Sequence, residues 1–376
     1  MSARAELVVD LAAIRHNVRL LKELTGVQMM TVVKADGYGH GLVESGRAAR
    51  EGGADWLGVA TIDEALALRE AGDTGRVLCW LTVPGDDWAA AIEKDVDVTA
   101  YSVDELDAIA ATGLRARVQL KVDTGLHRGG APLAQWDDVV ARARKGEDEQ
   151  SWTITGIWSH FSSSDEPDDP ANEAQERAFE DAVARAAEAG LAPEVTHLAN
   201  SAAAILRPSS RRDLVRVGIA SYGLDPAPGV TPELGLRPAM TARASLAMVK
   251  HVEAGAAVSY GRTWTADRAT TLGLVPAGYG DGLPRIGGNH AEVAVAGKRR
   301  KVRGRICMDQ LVVDLGGDDP GAGAEVTVFG TGEHGEPTAQ DWAEACGTIS
   351  YEIVTRIGGR FTRRYVDSEA RETIEP

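Results

Sequence analysis

Residues that could bind an anion or move a proton stand at the ends of five short apolar runs in the first 220 residues. They are Lys34, Lys121 with Arg128 just beyond it, His160, His197 followed by Asn200 and Ser201, and Arg216 followed by Gly218 and Ile219. Amine, guanidinium and imidazole groups bind phosphate or carboxylate, and amines and imidazoles also exchange protons. If the fold brings the run ends to one face, these residues can form a reaction site.

Lys34 opens the glycine-rich segment KADGYGHG (34–41) directly after an apolar run. Burying an ammonium group there is costly unless it is paired, and a desolvated lysine is suited to forming a Schiff base with a carbonyl compound. The alternative is a structural lysine whose ammonium reaches solvent at the rim of the fold. The segment alone does not choose between the two.

Other residues in the set also have structural interpretations. A single histidine is more often a structural hydrogen-bonding residue than a catalytic one. Ser201 is expected to N-cap the helix that begins SAAAILR. Arg216 could equally belong to a buried ion pair. Only a pattern that involves several of these residues together can favour a functional role over a structural one.

The elements that must position these residues follow a βα rhythm from about residue 28 to 230. Eight β-branched or apolar runs alternate with Ala-rich amphipathic stretches: 29–34, 56–60, 77–81, 96–101, 117–122, 153–160, 195–199 and 214–217. Eight such units predict a (β/α)8 TIM-type barrel of the α/β class. Barrels of this type react at the C-terminal ends of their strands and often bind phosphate after strands seven and eight, where Ser201, Gly218 and Ile219 lie.

After about residue 237 the sequence changes to strand runs without intervening helices, which predicts a mainly-β C-terminal domain. The runs are ARASLAMVKHV, TTLGLVPAG, EVAVAG, RKVRGRICM, QLVVDL and EVTVFG. One short helix is expected to begin at Thr338 and to end at Gly347. The acidic segment 162–176 is expected to be a loop that runs into a helix. We therefore expect a barrel over 1–235, with residues 1–10 joining the β domain, and the β domain over 236–376.

Composition excludes several classes of protein. The formal charge of -16 opposes binding to nucleic acid or to an anionic membrane surface. Cys79, Cys307 and Cys346 have no CxxC spacing and indicate reduced thiols, and the first twenty residues have no apolar core of a signal peptide. We expect a cytoplasmic protein without a metal site or a membrane-spanning segment.

Nine ordered motifs resemble the alanine racemases over nearly the whole chain. They are VVKADGYGHG (32–41), KVDTGLHRGG (121–130), GIWSHFSSSDEP (156–167), HLANSAA (197–203), VRVGIASYGL (215–224), VSYGRTW (258–264), GYGDGLPR (278–285), GRICMDQ (304–310) and ISYEIVTR (349–356). The resemblance implies a pyridoxal 5'-phosphate barrel followed by a β domain, acting as a homodimer with shared sites. His127, Gly37 and Gly280 depart from the commoner residues of this family.

The resemblance also implies roles for individual residues. Lys34 would hold the cofactor and act as the base on one face of alanine, and Tyr260 of the other subunit would be the base on the opposite face. The remaining cofactor contacts would be Tyr38, His160, His197, Asn200, Ser201, Arg216, Gly218, Ile219 and Tyr351. Arg128 and the backbone of Met308 would hold the substrate carboxylate. Lys121 matches a lysine often found carbamylated, whose new anion would orient Arg128. Tyr279, Arg285 and Asp165 would line the entrance, although GYGDGLPR could simply form a turn.

Racemisation requires a proton to leave one face of the α carbon and to return on the other, which two bases can do. We expect Arg216 to meet the pyridine nitrogen and leave it unprotonated, because arginine only donates hydrogen bonds. A chain from Tyr260 through His160 to Arg216 could stabilise the phenolate. The alternatives are a broad-specificity or serine racemase, a decarboxylase of the same barrel class, which would place a glutamate at the ring nitrogen, and a non-catalytic cofactor carrier. Taken singly, Tyr260 reads as a half-buried aromatic and Met308 as a core residue.

Overall fold

The computed structural model describes residues 4–369, which divide into two compact units. One unit contains residues 14–37 and 41–236. The other contains residues 4–13, 38–40 and 237–369. No helix within residues 4–369 combines the length and apolar character needed to cross a membrane.

The first unit contains a barrel of eight parallel strands within its described residues. In spatial order the strands are Leu214–Val217, Gln28–Val32, Trp56–Val59, Arg76–Cys79, Asp97–Ala100, Ala116–Asp123, Trp152–Trp158 and Val195–His197. Backbone hydrogen bonds from Asp213 to Thr196 (3.1 Å) and from Arg216 to Ala199 (3.0 Å) join the last strand to the first. Each strand lies within one of the eight predicted runs or extends beyond it by only one or two residues. The predicted (β/α)8 barrel is confirmed.

The strands form because apolar, often β-branched residues dominate them and bury almost every position. The helix Leu11–Thr25 precedes the barrel strands along the chain, and further helices alternate with them: Leu42–Glu51, Ile62–Glu70, Trp88–Glu93, Val103–Ala111, Trp136–Asp148, Pro170–Glu188 and Ser201–Leu206. The segment Ala131–Pro132 pairs with the end of the strand Ala116–Asp123. Single 3-10 turns span Leu133–Gln135, Pro208–Ser210 and Ile219–Tyr222.

The acidic segment 162–176 behaves as predicted, because it runs as a loop into the helix Pro170–Glu188. Asp169 N-caps this helix by accepting from the Ala171 N–H, and Pro170 occupies its first turn.

The second unit is mainly β within its described residues, which confirms the predicted β domain. A six-stranded sheet has the order Lys298–Lys301, Glu292–Val295, Glu325–Phe329, Met240–Ser245, Ala5–Asp10 and Thr362–Val366. A three-stranded sheet contains Met248–Val252, Thr270–Val275 and Leu311–Gly316, and Ala257–Val258 pairs with Trp264–Thr265. Only the pairing of Ala5–Asp10 with Thr362–Val366 is parallel among these described strand pairs.

One helix prediction for this unit is confirmed but misses a second helix, and one strand prediction was wrong in part. The helix predicted from Thr338 is present as Ala339–Cys346, with Thr338 and Asp341 forming a capping box and Gly347 left-handed at its end. A second helix, Ser350–Arg356, follows it within the segment ISYEIVTR and was not predicted. The run RKVRGRICM was predicted as a strand, but the strand ends at Lys301 and the rest is loop apart from a bridge between Val302 and Val313. The glycine at 304, with a φ of 72°, interrupts the strand there.

Candidate active site

Lys34 lies two residues beyond the barrel strand Gln28–Val32, and its ammonium group faces other cations. Burial lowers the pKa of Lys34, the Arg128 guanidinium lowers it further, and the Glu64 carboxylate opposes both. Its Nζ lies 5.8 Å from the ring centroid of Trp80. A lysine with a lowered pKa has more of its amine in the nucleophilic, proton-accepting form.

The backbone after Lys34 makes a left-handed turn. Ala35, Asp36 and Gly37 have φ values of 52°, 54° and 62°. For residues with a Cβ this conformation costs about 1–2 kcal/mol each. Glu64 offsets part of that cost, because its carboxylate accepts from the Ala35 N–H at 2.7 Å. The same carboxylate also accepts from the N–H of Ala60, just before the helix Ile62–Glu70, at 2.8 Å. The turn therefore stores strain next to the proposed reactive amine, as functional sites often do.

Two tryptophans connect the cationic residues of the barrel. Trp80 and Trp158 meet edge to face with ring centroids 6.0 Å apart. Lys121 Nζ lies 4.6 Å from the Trp158 ring, and the Arg216 guanidinium carbon lies 4.8 Å from it. Lys34, Lys121 and Arg216, predicted from three different strand ends, are thus brought into one cluster.

Lys121 is the most perturbed amine of this cluster. Burial, followed by the charges of Arg216 and Arg128, lowers the pKa of Lys121 to about 7, while Asp123 acts in the opposite direction. Its Nζ also lies 5.1 Å from the ring of Tyr101. At neutral pH a large fraction of Lys121 is therefore an uncharged amine.

Arg216 is buried, and the alternative of a buried ion pair does not hold within the described residues. The guanidinium donates to Nδ1 of His197 at 2.8 Å and to Nδ1 of His160 at 3.3 Å. Its other acceptors are the backbone carbonyls of Ser159, His197 and Leu198. Burial lowers the pKa of Arg216 to about 9, so it is still a cation at neutral pH. Burial and Arg216 together hold the pKa values of His160 and His197 well below the usual range, which keeps both imidazoles neutral.

The loops after the strands Val195–His197 and Leu214–Val217 meet through a serine hydroxyl. Ser201 Oγ accepts from the Gly218 N–H at 2.9 Å, and Ile219 begins a buried 3-10 turn directly afterwards. The prediction that Ser201 caps its helix was wrong. Asn200 is the N-cap, because its side-chain oxygen accepts from the Ala203 N–H, which leaves the Ser201 hydroxyl for the neighbouring loop.

In the second unit, Tyr38 and Tyr351 contribute two phenols whose ring centroids are 6.3 Å apart. Burial raises the pKa of Tyr38, so its phenol stays protonated and can donate. Gly39 allows the backbone after Tyr38 to approach the helix Ser350–Arg356 closely. A Cβ at Gly39 would lie 2.2 Å from the Val354 carbonyl oxygen, so no other residue fits there.

Tyr260 stands on a strained turn and is 70 % exposed, which corrects the reading of a half-buried aromatic. Ser259 before it has φ 63° and ψ -175°, a region that is almost exclusive to glycine, and Gly261 after it has φ 71°. The Ser259 hydroxyl donates to the Arg305 carbonyl at 2.6 Å and holds this conformation. The strained turn therefore places the Tyr260 side chain in solvent, and the strain lowers the stability of the fold.

Met308 is 54 % exposed, so the interpretation of a core residue was wrong. Its carbonyl accepts from the Gly280 N–H at 2.9 Å and from Arg360 at 3.3 Å, while the Tyr279 N–H donates to the Cys307 carbonyl at 3.0 Å. The segments 278–281 and 307–308 therefore form one backbone framework. Tyr279 and Arg285 lie exposed in two short 3-10 turns of this unit, and Asp165 is exposed in the loop before the helix Pro170–Glu188.

Comparison with known proteins gives a family. The sequence model described as the alanine racemase N-terminal domain matches residues 9–226, and the one described as its C-terminal domain matches residues 239–365. The chain belongs to the alanine racemase family. An alanine racemase of Streptomyces coelicolor is 52% identical, with 98% of this chain and 96% of that protein aligned. One of Thermobifida fusca is also 52% identical, over 97% of this chain and 99% of that protein. A solved alanine racemase of Streptomyces lavendulae has a TM-score of 0.95 at 50% identity and covers 98% of each chain.

Sequence reasoning overlooked several residues of this chain that contact the predicted ones. Trp80 and Trp158 stand at the C-terminal ends of strands, so the rule that selected the lysines and histidines could have found them. Glu64 had the signal of a capping box, T-x-x-E, but its contact with Ala35 depends on the left-handed turn. Gln119, whose Oε1 lies 2.7 Å from Nε2 of His197, could not be found from any pattern in the sequence. The described residues hold no group of three His, Cys, Asp or Glu arranged to bind a metal ion.

Proposed function

We propose that this chain interconverts L-alanine and D-alanine with pyridoxal 5'-phosphate carried on Lys34. One observation carries the proposal: Lys34, half-buried and with a lowered pKa, shares a cluster with an arginine whose partners are imidazoles and carbonyls. The relatives from Streptomyces coelicolor, Thermobifida fusca and Streptomyces lavendulae are all alanine racemases, which does not favour the alternative of a broad-specificity or serine racemase.

The donor set fits the cofactor. Arg128 and Arg216 are cations beside the amines of Lys34 and Lys121, so the cluster suits a phosphate and a substrate carboxylate. The residues that would hold the phosphate are Tyr38, Ser201, Gly218, Ile219 and Tyr351. His160, His197 and Asn200 would support the ring and its loop. Arg128 and the Met308 backbone would hold the carboxylate of alanine.

When bound, pyridoxal phosphate makes the α proton of an amino acid acidic by withdrawing electrons from the α carbon. The protein must then remove that proton from one face and supply one to the other. Lys34 is the proposed base on one face, and its lowered pKa leaves more of the amine in the form that accepts a proton. Tyr260 is the proposed base on the other face.

Arg216 is proposed to donate to the pyridine nitrogen. A carboxylic acid at that position would keep the nitrogen protonated and withdraw more charge from the substrate. Because Arg216 can only donate, it would leave the ring nitrogen unprotonated, which would favour return of a proton to the α carbon over side reactions such as transamination. The same residue opposes the alternative of a decarboxylase, which would place a glutamate there.

Tyr260 is proposed to act in the site of a second copy of this chain. Large apolar side chains are exposed on its unit, among them Tyr260, Tyr279, Ile286, Met308 and Ile349, as expected of a surface that another subunit covers. Tyr279, Arg285 and Asp165 would line the entrance to the shared site. We also propose that the enzyme supplies D-alanine for peptidoglycan in the cytoplasm, and the free cysteines Cys79, Cys307 and Cys346 support that location.

Borohydride reduction followed by peptide mapping tests the cofactor assignment. The protein as purified should be yellow, and reduction should attach the cofactor to the peptide that contains Lys34. Lys34→Ala should lose the label, whereas Lys145→Ala, at an exposed lysine, should keep it. Label on another lysine would refute the assignment. Exchange of the α proton of both alanine enantiomers in heavy water separates a racemase from a non-catalytic carrier, which would show no exchange.

Mixed dimers test the shared site. Lys34→Ala and Tyr260→Phe subunits are each expected to be inactive as homodimers. In a hybrid dimer one of the two sites would contain both Lys34 and Tyr260, so activity should return. A verified hybrid without activity would refute the sharing and leave the Lys34 assignment intact.

A further inference from the structure

Gln119 lies inside the barrel, one hydrogen bond beyond His197. Its side chain is fully buried, and its Oε1 lies 2.7 Å from Nε2 of His197. His197 in turn accepts from Arg216 through its other ring nitrogen at 2.8 Å. A continuous chain of buried groups therefore runs from Gln119 through His197 to Arg216.

The direction of each bond in this chain is determined by chemistry. Arg216 has only donors, so Nδ1 of His197 must be the unprotonated acceptor. The neutral imidazole then has its proton on Nε2 and donates it towards Gln119. Gln119 must present its carbonyl oxygen to that proton and not its NH2 group. The NH2 group finds no hydrogen-bond partner within the described residues, so the orientation of the amide is set by His197 alone.

The surroundings allow His197 little other freedom. Its ring stacks on Trp158 with the planes 6° apart and the centroids separated by 5.6 Å. Stacking fixes the plane of the imidazole, and the bonds to Gln119 and Arg216 fix its rotation within that plane. Arg216 thus receives an acceptor at a defined point.

Gly156, on the neighbouring strand, makes room for Gln119. The two residues are register partners, and a Cβ at 156 would lie 2.6 Å from Cδ and 2.8 Å from Oε1 of Gln119. Since Gly156 is not in a left-handed conformation, an alanine there would collide with the end of the Gln119 side chain, which would have to move, and would not strain the backbone. The barrel interior thus contains a space that holds the amide against His197.

We propose that Gln119 is a positioning residue of this enzyme, which holds His197 as its Nε2–H tautomer and thereby aims the guanidinium of Arg216. The inference rests on the proposed function for the role of Arg216, but not for the state of His197. Gln119 has no contact with cofactor or substrate in this proposal.

Two variants remove the contact in different ways. Gln119→Met keeps the volume and removes the acceptor, and Gly156→Ala keeps the amide but displaces it. Thr99→Val is a matched control, because Thr99 is the register partner of Gln119 on the other side, is equally buried, and has a hydroxyl without a partner in the described residues. Gln119→Met alone decides the question if Gly156→Ala does not fold.

Nitrogen-15 NMR of histidine-labelled protein reads out the tautomer directly. His197 is assigned by the signal that disappears in His197→Asn. The wild type and Thr99→Val should show an unprotonated Nδ1 and a protonated Nε2 that exchanges slowly with water. Gln119→Met and Gly156→Ala should shift the Nε2 signal and speed its exchange. A protonated Nδ1 in the wild type, or an unchanged His197 signal in Gln119→Met, would overturn the proposal whether or not the protein racemises alanine.

Kinetics then test the consequence. Gln119→Met should lower kcat for alanine about tenfold, the effect of leaving one buried donor unpaired, and raise the ratio of pyruvate formed to alanine racemised. KM should change much less, since no substrate contact is lost. An unchanged product ratio with an altered His197 signal would refute the link to Arg216. A wild type that does not racemise alanine would instead refute the proposed function, and the NMR result would still decide the role of Gln119.

Discussion

Arg216 donates a 2.8 Å hydrogen bond to Nδ1 of His197, and no carboxylate is among its partners within residues 4–369. The protein therefore maintains a buried cation through neutral acceptors. Such a group can face a ring nitrogen without giving it a proton. Its chemistry separates the proposed racemase from enzymes that use a carboxylic acid at this position.

Arg216→Glu should lower racemisation about a hundredfold and increase transamination, because a carboxylic acid would keep the ring nitrogen protonated. Chiral chromatography of alanine and an assay for pyruvate measure the two products. Arg19→Glu reverses the same charge at an exposed helix position and should leave their ratio unchanged. An unchanged ratio in Arg216→Glu, with the fold intact by circular dichroism, would remove the argument.

Ser259→Gly should reduce alanine racemisation about tenfold, while the free energy of unfolding changes by less than about 1 kcal/mol. Glycine relieves backbone strain of about 1–3 kcal/mol, but it loses the bond to the Arg305 carbonyl and adds freedom to the unfolded chain. Tyr260 is then less firmly held. Urea unfolding and racemisation kinetics provide the two measurements.

Ser259→Ala is the companion variant, because it keeps the strain and loses the hydrogen bond. It should be less stable than Ser259→Gly. Full kcat in Ser259→Gly would show that the conformation of Ser259 does not serve Tyr260.

Lys121 should react reversibly with carbon dioxide to form a carbamate and release a proton. Only the neutral amine reacts, and the pKa of about 7 makes that form increase as pH rises through 7. In carbon-13 bicarbonate, NMR should show a carbamate signal that is strong at pH 8 and weak at pH 6. Lys121→Gln should abolish the signal, and Lys145→Gln should retain it. A signal that persists in Lys121→Gln would place the carbamate elsewhere.

Asp97 should be important for stability and not for catalysis. It is fully buried at the start of its strand, the face opposite the proposed site, and its carboxylate bonds Arg76, Arg117 and Thr155, each at 2.7 Å. Asp97→Ala should lower the free energy of unfolding by about 3 kcal/mol, because the two arginines lose a buried partner. Urea denaturation measures this loss.

Asp95→Asn is the matched control for Asp97, since Asp95 also contacts Arg117 but its side chain is 76% exposed. It should cost less than about 1 kcal/mol. Folded Asp97→Ala should racemise alanine at the wild-type rate. A large loss of kcat without loss of stability would contradict the assignment.

Much of the fold could be predicted because it depends on local patterns. Apolar runs with β-branched residues predicted all eight barrel strands, and the capping residues of Ala339–Cys346 predicted both of its ends. The predictions failed where short segments had two options. The residue pattern of ISYEIVTR is compatible with a strand as well as with a helix, and only its packing makes Ser350–Arg356 helical. Asn200 and Ser201 are both good capping residues, and the position of the Gly218 loop decides between them.

The amino-acid sequence by itself determined the number of barrel strands and which chemical groups stand at their C-terminal ends, because both follow from the order of residues along one strand. Only the tertiary structure decided how those groups are paired. The bond of Gln119 to His197 and the space left by Gly156 depend on the register between strands that are distant in the chain. The left-handed turn after Lys34 depends on Glu64, which is 29 residues away along the chain. That register is set when the barrel closes, since closure chooses which side chains share its interior.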